Sequence, residues 1–275
     1  MTADLLDLSE RLRARYDAIS ARISAAATRV GREPGDVTLI AVSKTFPLRS
    51  IRAAVAAGLR DFGENRVQEL DEKARALPGT FLDAYASHAS VSDAIVSDAI
   101  VSDAMDDNDA VTSIQSGEAI RWHHIGSLQR NKAKTVCEVA DVFHALDSPR
   151  LARELDKRAE AVGRVLPCYV QVNVSGEGTK SGLAPEEAPG FIDSLNAYAH
   201  IRPVGLMTLA SPARAPDELE TLVRPQFRRL RCLAEQVGRD RLPCLSMGMS
   251  GDFEVAIEEG ATHVRVGSAL FGARG

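Results

Sequence analysis

Apolar and polar residues alternate along this chain with two different periods. From Asp4 to Val30 the apolar positions Leu5, Leu8, Leu12, Ile19, Ile23 and Val30 recur at spacings of three, four or seven, with Arg and Glu between them. That spacing predicts one long amphipathic helix, with Gly31 as its stop. After it, short apolar runs alternate with longer amphipathic segments. The strand-like runs are Val37–Lys44, Asp61–Asn65, Arg121–Gly126, Asp141–Asp147, Cys168–Val174, Pro203–Ala210, Cys244–Ser250 and His263–Gly272. The helix-like segments between them are Leu48–Ala57, Val67–Leu77, Gln129–Val139, Pro149–Val162, Pro185–Ala199, Ala215–Val237 and Asp252–Glu259. This alternation predicts an α/β fold, and eight strands make the arithmetic of a (β/α)8 TIM barrel with an extra N-terminal helix. A doubly wound open sheet is the alternative, weakened because no G-x-G-x-x-G follows the first strand.

One segment breaks the rhythm. Between about 80 and 119 the chain is polar, and Val91-Ser92-Asp93-Ala94-Ile95 repeats from Val96 and, with Met105 last, from Val101. The period is too short for a solenoid unit and predicts a long polar loop insertion within a single domain spanning 1–275. An αβ loop lies on the amino-terminal face of a barrel, away from the usual site.

Composition narrows the class. A net charge of −5 and a pI near 5.7 argue against a general nucleic-acid or anionic-membrane binder. No apolar run reaches the length of a membrane span, and Asp4, Asp7 and Glu10 occupy the place of a signal peptide's basic region. Cys137, Cys168, Cys232 and Cys244 are scattered without a CxxC, which suits reduced thiols and a cytoplasmic location.

Candidate chemistry sits at strand ends. Lys44 closes the run Val37-Thr38-Leu39-Ile40-Ala41-Val42. A lysine at the carboxyl end of a buried parallel strand is placed to attack a carbonyl, or else simply snorkels to solvent. Asn65, in Gly63-Glu64-Asn65, either lines the barrel mouth or caps the next helix. Ser246-Met247-Gly248-Met249-Ser250-Gly251 runs from a strand into a helix, as an anion cradle does and as a serine cap also does. Arg265 interrupts an apolar strand and must find an ionic partner or the solvated mouth, and Gly267-Ser268 after it offers backbone N–H groups. His123 and His124 point to opposite faces of their strand, so they do not share a metal. Lys180 lies in a polar loop and reads as a solvated lysine or an anion ligand.

These segments together resemble the pyridoxal phosphate homeostasis protein family, single barrels of the alanine racemase N-terminal domain type. The resemblance runs through Ala41-Val42-Ser43-Lys44-Thr45, Phe62-Gly63-Glu64-Asn65-Arg66, Trp122-His123-His124-Ile125-Gly126-Ser127-Leu128-Gln129-Arg130-Asn131-Lys132, Lys180-Ser181-Gly182, Gly205-Leu206-Met207, Leu245-Ser246-Met247-Gly248-Met249-Ser250 and Val264-Arg265-Val266-Gly267-Ser268-Ala269-Leu270-Phe271-Gly272-Ala273-Arg274. It implies that Lys44 holds pyridoxal 5'-phosphate (PLP) as a Schiff base. It implies that Ser246, Gly248 and Ser250, with Gly267 and Ser268, surround the phosphate, that Arg265 faces the pyridine nitrogen, and that Asn65 and Met207 line the cofactor. An arginine at that nitrogen keeps it unprotonated and weakens the ring as an electron sink. The insertion departs from the family, whose members have a shorter connection there.

Two functions follow from the resemblance. One is a non-catalytic PLP binder that buffers the cofactor or delivers it to PLP-dependent apo-enzymes. The other is a PLP-dependent amino-acid racemase, which needs a second acid/base group, supplied in alanine racemases by a C-terminal domain and dimerisation. The chain ends at Gly275, just after the eighth strand, which favours the binder and a monomer. A Schiff-base aldolase barrel without cofactor is a third reading, and it leaves the serine–glycine segments idle unless its substrate is phosphorylated.

Overall fold

The computed structural model describes residues 3–77, 119–178 and 180–272. The insertion expected at about 80–119 lies, but for Ala119, outside the described residues, as do Ala273 and Arg274. Eight strands form a closed parallel barrel in sequence order: β1 (Thr38–Val42), β2 (Asp61–Glu64), β3 (Arg121–His124), β4 (Val142–Leu146), β5 (Leu166–Gln171), β6 (Ile201–Met207), β7 (Cys244–Met249) and β8 (His263–Val266). β8 pairs with β1, Thr38 opposite His263 and Ala41 opposite Val266, so the sheet is closed and the open-sheet alternative is excluded.

Helices α1 (Ala3–Arg29), α2 (Leu48–Ala56), α3 (Val67–Ala76), α4 (Ala133–Val139), α5 (Pro149–Ala161), α6 (Ala188–Ser194), α7 (Arg224–Val237), α8 (Phe253–Glu258) and α9 (Ser268–Phe271) complete the described part. Several element boundaries differ from those expected; the helix read from Ala215, for one, begins as a π-helical turn at Leu219 and is α-helical from Arg224. The final strand, read to Gly272, stops at Val266, because the backbone turns at Gly267 and its N–H donates to Ser250 Oγ instead of a neighbouring strand. The helix read from Pro185 begins at Ala188 and finishes in a 3-10 turn at Ala197.

Alternate strand residues divide between two environments. Trp122 and Phe62, with ring centroids 5.6 Å apart, belong to the buried apolar layer, and His124 stacks on Phe143. His123 and His144 face the barrel interior, where they meet each other. The pair His123-His124 is therefore split, as strand alternation requires, and no metal-ligating cluster occurs among the described residues.

The N-terminal helix packs across the helices that flank the first and last strands. Leu12, Ile19, Ile23, Ala26 and Ala27 are buried, and α1 packs on α2, α8 and α9. Val30 falls beyond the helix and is exposed. Arg22 pairs with Glu254 at 2.9 Å and lies 4.5 Å above the Phe253 ring, Arg29 pairs with Glu258 at 2.7 Å, and Arg15 Nη1 donates to the Leu270 carbonyl at 3.1 Å. The ion pairs are exposed and contribute about 0–1 kcal/mol each. Each fully buried Leu or Ile contributes about 1.5–3 kcal/mol, so the apolar face holds the helix and the arginines set its register.

Candidate functional site at the carboxyl-terminal rim

The strand registers bring the expected residues to one end of the barrel. Val42 lies opposite Gly63, which places Lys44 and Asn65 side by side just past β1 and β2. Ala41 lies opposite Val266, which places Lys44 beside Gly267 and Ser268. Met207 lies opposite Ser246 on β6 and β7. Lys44 and Asn65 are half-buried, and Met207 is buried.

The turn carrying Lys44 is gripped from both sides. Ser43 Oγ donates to Glu64 Oε1 at 2.6 Å, and the buried Lys73 ammonium donates to the Ser43 carbonyl at 2.9 Å and to Glu64 Oε1 at 2.6 Å. On the other side the Thr45 N–H donates to Glu69 Oε2 at 2.7 Å, and Glu69 lies 3.5 Å from the same ammonium. Thr45 sits at φ 68°, a left-handed conformation that a β-branched residue adopts only when its surroundings impose it. Burial pushes the Glu64 carboxyl up, against the opposing pull of Lys73 and Ser43. Phe46 stacks on Phe271 of α9, ring centroids 4.9 Å apart, which ties the lysine turn to the segment after β8.

That segment forms the cradle. Ser250 Oγ accepts from the Gly267 N–H at 3.2 Å and the Ala269 N–H at 3.4 Å. A Cβ on Gly267 would lie 3.2 Å from the Val42 carbonyl oxygen, so a side chain there would push the cradle a few tenths of an ångström away from β1. At the neighbouring rim a Cβ on Gly126 would lie 2.3 Å from the Asn65 carbonyl oxygen. Gly126 thus lets the end of β3 fix the Asn65 backbone.

Ser246, expected around the phosphate, has its hydroxyl committed elsewhere. Ser246 is fully buried inside the barrel, its hydroxyl between Arg265 Nη1 at 2.6 Å and His144 Nδ1 at 3.0 Å. Gly248, at φ 92°, is required by packing: a Cβ there would lie 2.6 Å from the Ala256 Cβ and 2.9 Å from the Phe253 Cα. Arg265 is buried and reaches Ser246 Oγ and, at 2.8 Å, the Thr208 carbonyl, not a carboxylate. Burial brings its guanidinium down to about 10, so it remains a cation at neutral pH. Lys180 is committed to Glu177 at 2.8 Å and lies within 3.4 Å of Ser211 Oγ.

Sequence reasoning passed over Glu64, Lys73, His144 and Thr208. The signals were present: a glutamate inside Phe62-Gly63-Glu64, a lysine on the apolar face of α3, and a histidine inside Val142-Phe143-His144-Ala145-Leu146. A buried charge or imidazole must find partners, and these do.

The topology, with a lysine just beyond the first strand, defines a single barrel of the alanine racemase N-terminal kind. The profile described as "Alanine racemase, N-terminal domain" matches residues 15–275. A pyridoxal phosphate homeostasis protein of Pseudomonas aeruginosa is 37% identical over 256 residues, 93% of each chain. PipY of Synechococcus elongatus PCC7942, solved with PLP bound, superposes with a TM-score of 0.66 at 32% identity, covering 92% of this chain and 100% of its own. An alanine racemase of Clostridium difficile, 14% identical, shares the fold with a TM-score of 0.63, covering 96% of this chain and 57% of its own. The chain belongs to the pyridoxal phosphate homeostasis protein family. Among the described residues, no helix is long and apolar enough to cross a membrane.

Proposed function

We propose that this chain, as one domain, binds PLP covalently through Lys44 and serves intracellular PLP homeostasis in the cytoplasm, as a monomer, without catalysing amino-acid chemistry. The observation that carries the reading is the convergence at one rim of the Lys44 turn, the Ser250–Gly267–Ala269 cradle and the buried Arg265 cation. The donor set fits the cofactor. Ser250 accepts two backbone N–H groups and keeps its own O–H for an anion, with Ser268 beside it. PLP supplies an aldehyde that condenses with an amine and a conjugated ring that withdraws electrons. Lys44 would anchor the aldehyde end, Ser250, Gly267 and Ser268 the phosphate, Arg265 the ring, and Asn65 and Met207 the walls.

The binder is favoured over a racemase by the homeostasis relatives, and Arg265 disfavours demanding carbanion chemistry. Its guanidinium holds its proton at neutral pH, so a ring nitrogen facing it stays unprotonated and the ring is a weaker electron sink. The PLP-bound relative and the homeostasis relatives support the same reading. Buffering PLP and handing it to apo-enzymes is what an anchoring amine at an open rim suits. The test is the absorption spectrum with PLP added, followed by borohydride reduction and peptide mapping. Label on Lys44, with no turnover of amino acids, is the expected result. Absence of a bound chromophore would return the barrel to the aldolase reading.

A further inference from the structure

The barrel interior holds a file of polar groups, most of which the proposed function leaves unused. Arg121 Nε donates to Asp61 Oδ1 at 2.8 Å, and the same oxygen lies 2.9 Å from His123 Nε2. His123 Nδ1 lies 2.9 Å from His144 Nε2, and His144 Nδ1 lies 3.0 Å from Ser246 Oγ. Ser246 Oγ accepts from Arg265 Nη1, and Arg265 Nη2 donates to the Thr208 carbonyl. Asp61, His123, His144, Ser246 and Arg265 are all buried.

Elementary donor accounting sets every proton in this file. A carboxylate only accepts, so His123 carries its proton on Nε2. Burial pushes the Asp61 carboxyl up, but the hydrogen bond from His123 and the Arg121 charge outweigh it and bring it down to about 2. From the other end, a guanidinium only donates, so Ser246 Oγ is the acceptor there. The serine proton then goes to His144 Nδ1, and the His144 proton sits on Nε2 and is donated to His123 Nδ1. Every contact in the file is satisfied by this one arrangement. A cationic His123 would force a proton onto His144 Nδ1 and leave the buried Ser246 O–H without an acceptor in the file.

We propose that Ser246, His144 and His123, anchored on Asp61, are positioning residues for Arg265. The file aims the guanidinium towards the rim from the opposite end of the barrel, and Ser246 is not a phosphate ligand. The purpose assigned to Arg265 rests on the PLP reading; the polarity of the file does not.

The test starts on the full chain stripped of PLP, labelled with 15N-histidine, by two-bond nitrogen–proton correlation at about pH 7.5, where an ordinary histidine is neutral. Both His123 and His144 are expected neutral and protonated on Nε2. A proton on Nδ1 of either ring, or on both nitrogens, overturns the proposal even if PLP binds normally. Ser246→Ala is then compared with Ser246→Thr, which keeps the hydroxyl. The alanine variant is expected to bind PLP about tenfold more weakly and the threonine variant within about threefold of the parent. Competition by inorganic phosphate separates the two roles of Ser246. Phosphate affinity unchanged in Ser246→Ala supports positioning, and its loss makes Ser246 a phosphate ligand. Equal PLP affinity in all three proteins overturns the positioning role. Failure of the parent to bind PLP, with both tautomers as expected, overturns it together with the PLP reading.

Discussion

Lowering the pH from about 7.5 to about 5.5 protonates an exposed imidazole, whose ordinary value is about 6.5, but not a buried one. Burial brings His124 down to about 4 and His263 down to about 3, and holds His144 well below 6.5. The unfolded chain therefore binds protons that the fold refuses, and stability present above pH 6.5 is lost as the pH falls. Over this interval the three imidazoles, one proton apiece, together cost about 4 kcal/mol. Asp141 works the other way. Burial pushes its carboxyl up to about 7, so it takes up a proton in the fold before it does in the unfolded chain. That returns about 2 kcal/mol, leaving a net loss of about 2 kcal/mol. Asp141→Asn removes the offset while keeping an acceptor for the Trp122 N–H, now 2.7 Å from the carboxylate. Urea unfolding at the two pH values should show a loss about 2 kcal/mol larger in the variant than in the parent. Other carboxyls raised by burial, Glu64 and Asp252 among them, cancel in that comparison. Equal losses in the two proteins would refute the assignment of Asp141.

Lys44→Ala should abolish borohydride-reducible label while leaving weak, reversible PLP binding that equilibrium dialysis detects; label retained on another lysine would remove Lys44 as the anchor. Lys73→Met should destabilise the fold by about 3–5 kcal/mol by stranding Glu64, and Glu64→Leu added to it should recover most of the loss in thermal unfolding. The same single variant should slow PLP attachment at Lys44, followed by absorbance, because it frees the Ser43 carbonyl. Gly126→Ala should cost more than about 2 kcal/mol, since its methyl would meet the Asn65 carbonyl at 2.3 Å. Removing residues 90–105 should leave PLP affinity unchanged in a direct titration, because the segment falls in the chain between α3 and β3, and αβ connections of a barrel join its amino-terminal face.

The barrel was legible because its strands are buried on both faces and its helices on one, so the two periods separate cleanly along the chain. Boundaries blurred where a local hydrogen bond overrode the apolar run, as at Gly267, whose N–H leaves the sheet for Ser250. Lys44, Asn65 and Gly267 could be placed at one rim because strand ends in a parallel barrel share a face. The depth of a side chain could not be read in the same way. Ser246 and Ser250 look alike four residues apart in one motif, yet one lies beneath Arg265 and the other lies in the cradle. Partners such as His144 for Ser246, or Lys73 for Glu64, meet only once the sheet closes, and a linear reading has no access to that.

The packing of α1 across the helices that flank β1 and β8 has a consequence for when the rim can work. Lys44 follows the first strand, whereas Gly267 and Ser268 follow the last, and the pairing of β1 with β8, from Thr38–His263 to Ala41–Val266, makes them neighbours. A ligand held by both ends therefore bolts the seam, and its affinity is withdrawn whenever the seam opens. Occupancy and closure become one equilibrium, so the loaded barrel should resist protease attack at the α1–α8 contact, and an empty one should breathe there first.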